Sequence, residues 1–175
     1  RSIGMAACDV STLDQQTRHM VWTNEPTTVV DGIHLTGEIP RRNDFEDTGG
    51  PFYRDCLCHE PDPILDDQAM YIETPVGILV VLGCAHAGVV NTLDYIVELT
   101  GQKQIYAVLG GMHLVRASDQ RLAATIEALK QYNVQRIGTA HCTGMRATTI
   151  LWSQLPDACF ECPVGTLLAF EDGSA

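Results

Sequence analysis

The chain has 175 residues, 45% of them hydrophobic, with seven cysteines and a formal net charge of −11. That length suits a single domain, residues 1–175, able to bury a sizeable core, and the acidic balance argues against a nucleic-acid backbone as a partner. No apolar run approaches the roughly 20 residues needed to span a bilayer, no signal-peptide pattern opens the sequence, and an odd number of scattered cysteines points to a reducing cytoplasm.

In chain order, residues 11–21 read as a short helix, with Ser11 and Asp14 spaced like a capping box. Residues 27–30 and 33–39 flank Asp31-Gly32, a strong hairpin signal, and so read as paired strands. Residues 40–63 are polar and rich in turn formers. They read as a long surface loop, of the kind that often covers or lines a site. Residues 69–74 form another strand, joined through Pro75 and Gly77 to a continuous apolar run at 78–82. Such a run fits a strand buried on both faces beneath helices. It is followed by Gly83, Cys84, Ala85, His86, Ala87 and Gly88, then by a helical pattern that stops at Gly101.

The same construction recurs twice. Residues 105–109 form an apolar strand that ends in Gly110-Gly111-Met112-His113 before a helix opened by Ser118 or Asp119. Residues 134–140 form a third, ending in His141-Cys142-Thr143-Gly144 before a helix that runs to Leu155, with Pro156 closing it. The three histidines are 27 and 28 residues apart, close to the roughly 30 residues of a strand–helix–strand unit. Each therefore sits at the carboxyl end of one strand of a parallel set, where ligands bind in open α/β sheets. Residues 166–170 read as a final strand.

Three imidazoles at neighbouring strand ends suit a metal. Neutral imidazole is the commonest nitrogen ligand for zinc, and a helix N-terminus just behind the ring disfavours its protonation. Cys84 and Cys142 flank His86 and His141 and could face the metal; burial as small apolar residues is the simpler account of them. Cys159-x-x-Cys162 has redox or zinc spacing, but the turn residues after it argue against a helix N-terminus. No nucleophile elbow and no Walker-type phosphate loop occurs. His19, His34 and His59 read as ordinary surface or loop residues.

G-C-A-H-A-G at 83–88 with Asn91, G-G-M-H-L at 110–114 and A-H-C-T-G at 140–144 together resemble one branch of the metallo-β-lactamase superfamily. That branch comprises the metal-dependent hydrolases related to the dihydropterin ribofuranosyl-aminobenzene phosphate synthases. L-T-G-E-I-P-R at 35–41, D-D-Q-A-M at 66–70 and R-S-I-G-M at 1–5 add to the match. The resemblance implies an α/β fold of αββα sandwich type with a metal pair at one edge of the sheets. It implies His86 and His141 as metal ligands, and His113 as a ligand or substrate contact. The superfamily motif H-x-H-x-D-H is absent from the sequence, so the chain is expected to correspond to the C-terminal portion of such an enzyme.

The expected activity is metal-assisted hydrolysis of a small polar or phosphorylated substrate. The expected cofactor is a divalent metal, zinc first, with manganese or iron as alternatives. Glu38, Arg41 and Gly111 are the candidate substrate contacts, with Arg42 beside them, since Arg recognises carboxylate and phosphate well. The expected partners are a small-molecule substrate and a second copy of the chain, meeting through apolar surface, with neither nucleic acid nor membrane. The alternative is a catalytically silent domain that acts by binding or self-association.

Overall fold

A computed structural model describes residues 5–169. Most of the opening R-S-I-G-M, and the end of the expected strand at 166–170, lie outside them. The described residues form one seven-stranded sheet with strands in sequence order. The strands are β1 (Thr27–Val30), β2 (Ile33–Leu35), β3 (Ala69–Thr74), β4 (Gly77–Leu82), β5 (Ile105–Gly111), β6 (Arg136–Ala140) and β7 (Cys159–Phe160), and the helices are α1 (Ala7–Gln16), α2 (Val89–Thr100), α3 (Asp119–Gln131) and α4 (Met145–Gln154).

β1 to β4 pair antiparallel, with tight turns between β1 and β2 and between β3 and β4 and a long segment between β2 and β3, whereas β4 to β7 pair parallel through helical crossovers. The parallel arrangement expected for the three histidine-tipped strands is present. It follows from the near-equal spacing of the units, since a parallel pair needs a crossover and a helix supplies one.

Cross-strand partners share a face, and successive residues alternate. Ile78 and Val80 of β4, with Val108 of β5 and Ile137 of β6, are fully buried and pack into one core with Val89, Leu93, Ile96, Leu129 and Leu151 of the three following helices. Each such side chain contributes roughly 2 kcal/mol of transfer free energy before entropy is counted. The opposite face carries Met70, Ile72, Val81 and Leu109 in register. These four stand outside the helix-packed core and are half-buried. One sheet with one helical layer is the α/β arrangement of half the expected sandwich.

Several local expectations are corrected. The first helix runs from Ala7 to Gln16, and Ala6, not Ser11, precedes it without a side-chain cap. Ser11 lies inside the helix and accepts a bond from Gln15 at 3.2 Å. β2 stops at Leu35 because Gly37 turns at φ 66° and the Glu38 N–H leaves the sheet to donate to the Asn24 carbonyl at 2.8 Å. β6 starts at Arg136, two residues late, because Asn133 is left-handed at φ 53°. Residues 166–169 form no strand; the Thr166 N–H closes a turn on the Pro163 carbonyl at 3.1 Å. The last strand is instead β7, too short to show as a pattern.

The 40–63 segment is loop, as expected, but not only surface. Ile39, just before it, and Glu46 within it are buried. The loop folds over the carboxyl ends of the parallel strands.

Candidate metal centre

The three strand-end turns meet at one edge of the sheet. Ligand atoms of Cys84, His86 and His113 lie within 4.8 Å of one another, and so do those of Cys84, His141 and Cys142. The His86 and His113 ring centroids are 4.3 Å apart. The two triads share Cys84. Its Sγ is 3.1 Å from His113 Nδ1 and donates to Cys142 Sγ at 3.0 Å. The thiols that sequence reasoning weighed as packing are therefore the joint between the histidines.

Close backbone approach permits this crowding. A Cβ on Gly111 would sit 2.6 Å from the Gly83 carbonyl oxygen and 2.9 Å from Cys142 Sγ, and one on Gly49 would lie 1.8 Å from the His113 ring. Three residues of the cluster turns, Ala85, His113 and His141, hold left-handed backbone at φ 53°, 48° and 50°. Non-glycine residues pay for that conformation, and it concentrates at functional sites.

The ring orientations are set from outside. His86 Nδ1 lies 2.8 Å from the Thr48 carbonyl oxygen. A carbonyl only accepts, so Nδ1 carries a proton, and in the neutral ring the lone pair is on Nε2. Burial lowers the His113 pKa, and the neighbouring His86 and Arg121 push the same way; a neutral ring is the form that ligates. Burial, and then the hydrogen bond with Cys142, push the Cys84 thiol up to about 12. A metal would invert that by favouring thiolate.

The motif residues around the cluster are its frame. Asp67 Oδ2 accepts from the Ala87 N–H at 2.8 Å. Asn91 donates to the Ala87 carbonyl at 2.9 Å and accepts from the Arg42 N–H at 2.9 Å, tying the loop to the turn. The Glu46 carboxylate accepts from the Val90 and Asn91 N–H groups at 2.9 Å each. It fills the N-terminus of α2, whose dipole favours an anion. Thr143 Oγ1 accepts from the Met112 N–H at 3.2 Å and joins the second turn to the third.

Of the candidate substrate contacts, Arg41 donates from Nη1 to the His86 carbonyl and from Nη2 to the Pro63 carbonyl, each at 2.6 Å. Its guanidinium thus clamps backbone. Arg42 pairs with Glu98 at 2.6 Å, Glu38 is exposed, and Gly111 lies inside the cluster. His34 stacks on Tyr71, while His19 and His59 are exposed. Among the described residues, no metal-capable group includes Cys56, Cys58, Cys159 or Cys162. No helix there is long and apolar enough to cross a membrane.

No family model matches the chain. The 7,8-dihydropterin-6-methyl-4-(β-D-ribofuranosyl)-aminobenzene-5′-phosphate synthase of Methanocaldococcus jannaschii is 30% identical over 154 residues, covering 86% of this chain and 52% of that protein. An uncharacterized protein of the same organism is 34% identical over 131 residues, covering 75% of this chain and 47% of that one. The chain thus spans about half the length of the curated relatives it matches. A crystal structure of a metal-dependent hydrolase of the β-lactamase superfamily is similar with a TM-score of 0.77 at 27% identity, over 88% of this chain and 59% of that one. With its parallel strand-end cluster, the chain is thus similar in fold to a metal-dependent hydrolase of the β-lactamase superfamily and in sequence to the synthase.

Proposed function

We propose that the chain holds a divalent metal at the strand-end cluster and takes part in metal-dependent hydrolysis of a small polar or phosphorylated substrate. The observation that carries this reading is the convergence of three histidines and two cysteines from three separate turns into two triads sharing Cys84. Mixed imidazole and thiol donors fit zinc or iron better than magnesium or calcium, which prefer oxygen. The free Nε2 of His86, fixed by the Thr48 carbonyl, is the expected state of a ligand before it binds.

When bound, such an ion supplies Lewis acidity and water activation near neutral pH. The chain's own part is positional. His86, His113 and His141 offer nitrogen ligands, and Cys84 and Cys142 offer sulfur. Arg41 fixes the backbone behind His86. Gly49 and Gly111 leave room for groups to approach closely.

Metal content tests the reading. Purified chain dialysed against zinc, manganese or ferrous iron should retain near-stoichiometric metal by mass spectrometry, and His113→Ala and Cys84→Ala should retain little. Equal retention by all three proteins, or none by the wild type, would sink it. A silent domain acting by self-association is the second reading, favoured by the open sheet face with Met70, Ile72, Val81 and Leu109. Sedimentation should then show a dimer that Val81→Lys disperses.

A further inference from the structure

Beside the cluster lies a polar recess of about 290 Å³, lined by Asp47, Gly49, His113, Arg116, Ser118 and Arg121 among others. His113 borders both. We propose that this recess is an oxyanion subsite that receives a phosphoryl group of the substrate. Its placement of the reacting bond rests on the metal reading above, whereas the anion binding itself does not.

The first observation is Arg121. It is only 3% exposed, and its Nη1 donates to Asp47 Oδ1 at 2.9 Å and to the Asp47 carbonyl at 3.2 Å. Its Nε and Nη2 are buried with no hydrogen-bond partner. Guanidinium is donor-only, and buried donors left unmet are costly. The Nε and Nη2 edge is a fork of the geometry that matches two oxygens of a phosphoryl group; it is closed to solvent in this structure, so the anion reaches it by a turn of the Arg121 side chain towards the recess that the residue lines. A compact ligand with several acceptor oxygens would satisfy it; a cation or an apolar group would not.

The second observation is where Arg121 sits. It is the third residue of the 13-residue α3, and Ser118 Oγ satisfies its own N–H at 3.2 Å. The N–H groups of Asp119 and Gln120 precede any helical acceptor, and the helix dipole adds partial positive charge there. At α2 the chain's own Glu46 carboxylate fills the equivalent place. At α3 no acid among the described residues does so. The Asp119 carboxylate is paired with Arg146 and lines a different groove.

The third observation is charge. Arg116 is exposed and lines the recess with Arg121, against the single carboxylate of Asp47. The two guanidinium groups and the helix end outweigh that one acid.

The test is a titration of inorganic phosphate, and separately of methyl phosphate, into the metal-free full chain, followed by phosphorus NMR and calorimetry. Saturable binding is expected, with each anion displacing the other. Arg116→Gln should weaken it about fivefold and Arg121→Gln about tenfold or more, in line with the loss of charge-assisted bonds. His141→Ala should leave phosphate affinity unchanged while lowering metal uptake, so failure of the metal reading and failure of this one look different. No saturable binding would overturn the proposal. So would wild-type affinity in Arg116→Gln, which alters an exposed side chain and decides the matter even if Arg121→Gln fails to fold.

Discussion

The two ends of the parallel strands share one backbone and differ in chemistry. At the amino ends of β4 to β6 lies a recess of about 530 Å³ lined by Thr74, Pro75, Gln102, Gln104 and Gln135 among others. At the carboxyl ends the recess beside the cluster is smaller, about 290 Å³, yet it adjoins the clustered histidines and thiols. Volume does not pick the site. The carboxyl ends differ because the helices begin there, so N–H groups and positive dipole ends converge. Left-handed backbone at Ala85, His113 and His141 also concentrates at this end.

Five measurements would break or sharpen that comparison. The largest effect is expected from glycine replacement. A Cβ at Gly110 (φ +117°) would lie 2.2 Å from the Leu82 carbonyl oxygen, while one at Gly101 (φ +68°), at the other end, meets nothing within 4 Å. Gly110→Ala should cost about 4 kcal/mol in urea unfolding and Gly101→Ala about 1 kcal/mol. Equal losses would show that backbone crowding is not special to the site end.

Next is Cys84→Ala, which should lower zinc affinity by about 100-fold in chelator competition, the upper end of what losing a mere partner of a ligand costs. An unchanged affinity would return Cys84 to packing. Glu46→Ala empties the N-terminus of α2 and should cost about 2 kcal/mol, the upper range for a lost helix cap. A loss under half that would mean water replaces the carboxylate at no great cost.

At the other end, Tyr132 donates to Asp94 at 2.5 Å. Burial first, and then the Asp94 carboxylate, raise its pKa to about 12 from the ordinary 10.0. The folded state thus favours the neutral phenol. Its contribution, on the order of 1 kcal/mol, is fully present below pH 10 and is lost as pH rises through about 12. Tyr132→Phe should abolish that alkaline step in stability; its persistence would assign the step elsewhere. The smallest effect belongs to Gln104→Ala in the larger recess. It should change stability by less than about 0.5 kcal/mol and leave metal uptake untouched, and any loss of metal would undo the contrast between the two ends.

Much of the parallel half was legible because its signals are local. The apolar run at 78–82, the stops at Gly101 and Pro156, and the near-equal spacing of His86, His113 and His141 each report on a few neighbouring residues or on one repeating unit. The antiparallel edge was legible for the same reason, through Asp31-Gly32 and the strand that became β3. Weak local signals misled. Ser11 and Asp14 imitate a cap inside a helix, and two-residue β7 exists only because β6 offers it an edge.

The sequence by itself determined the α/β class, the parallel strands and the three histidine-bearing turns, since periodicity and glycine placement act within one unit. Only the tertiary structure decided which polar groups meet. Cys84 reaches Cys142 across 58 residues, Glu46 reaches the α2 N-terminus across 45, and Arg121 reaches Asp47 across 74. A thiol, a glutamate or an arginine looks the same in sequence whether it faces solvent or a partner. The path of the 40–63 loop and the register of the strands separate the cases, because together they bring residues distant in the chain within bonding distance.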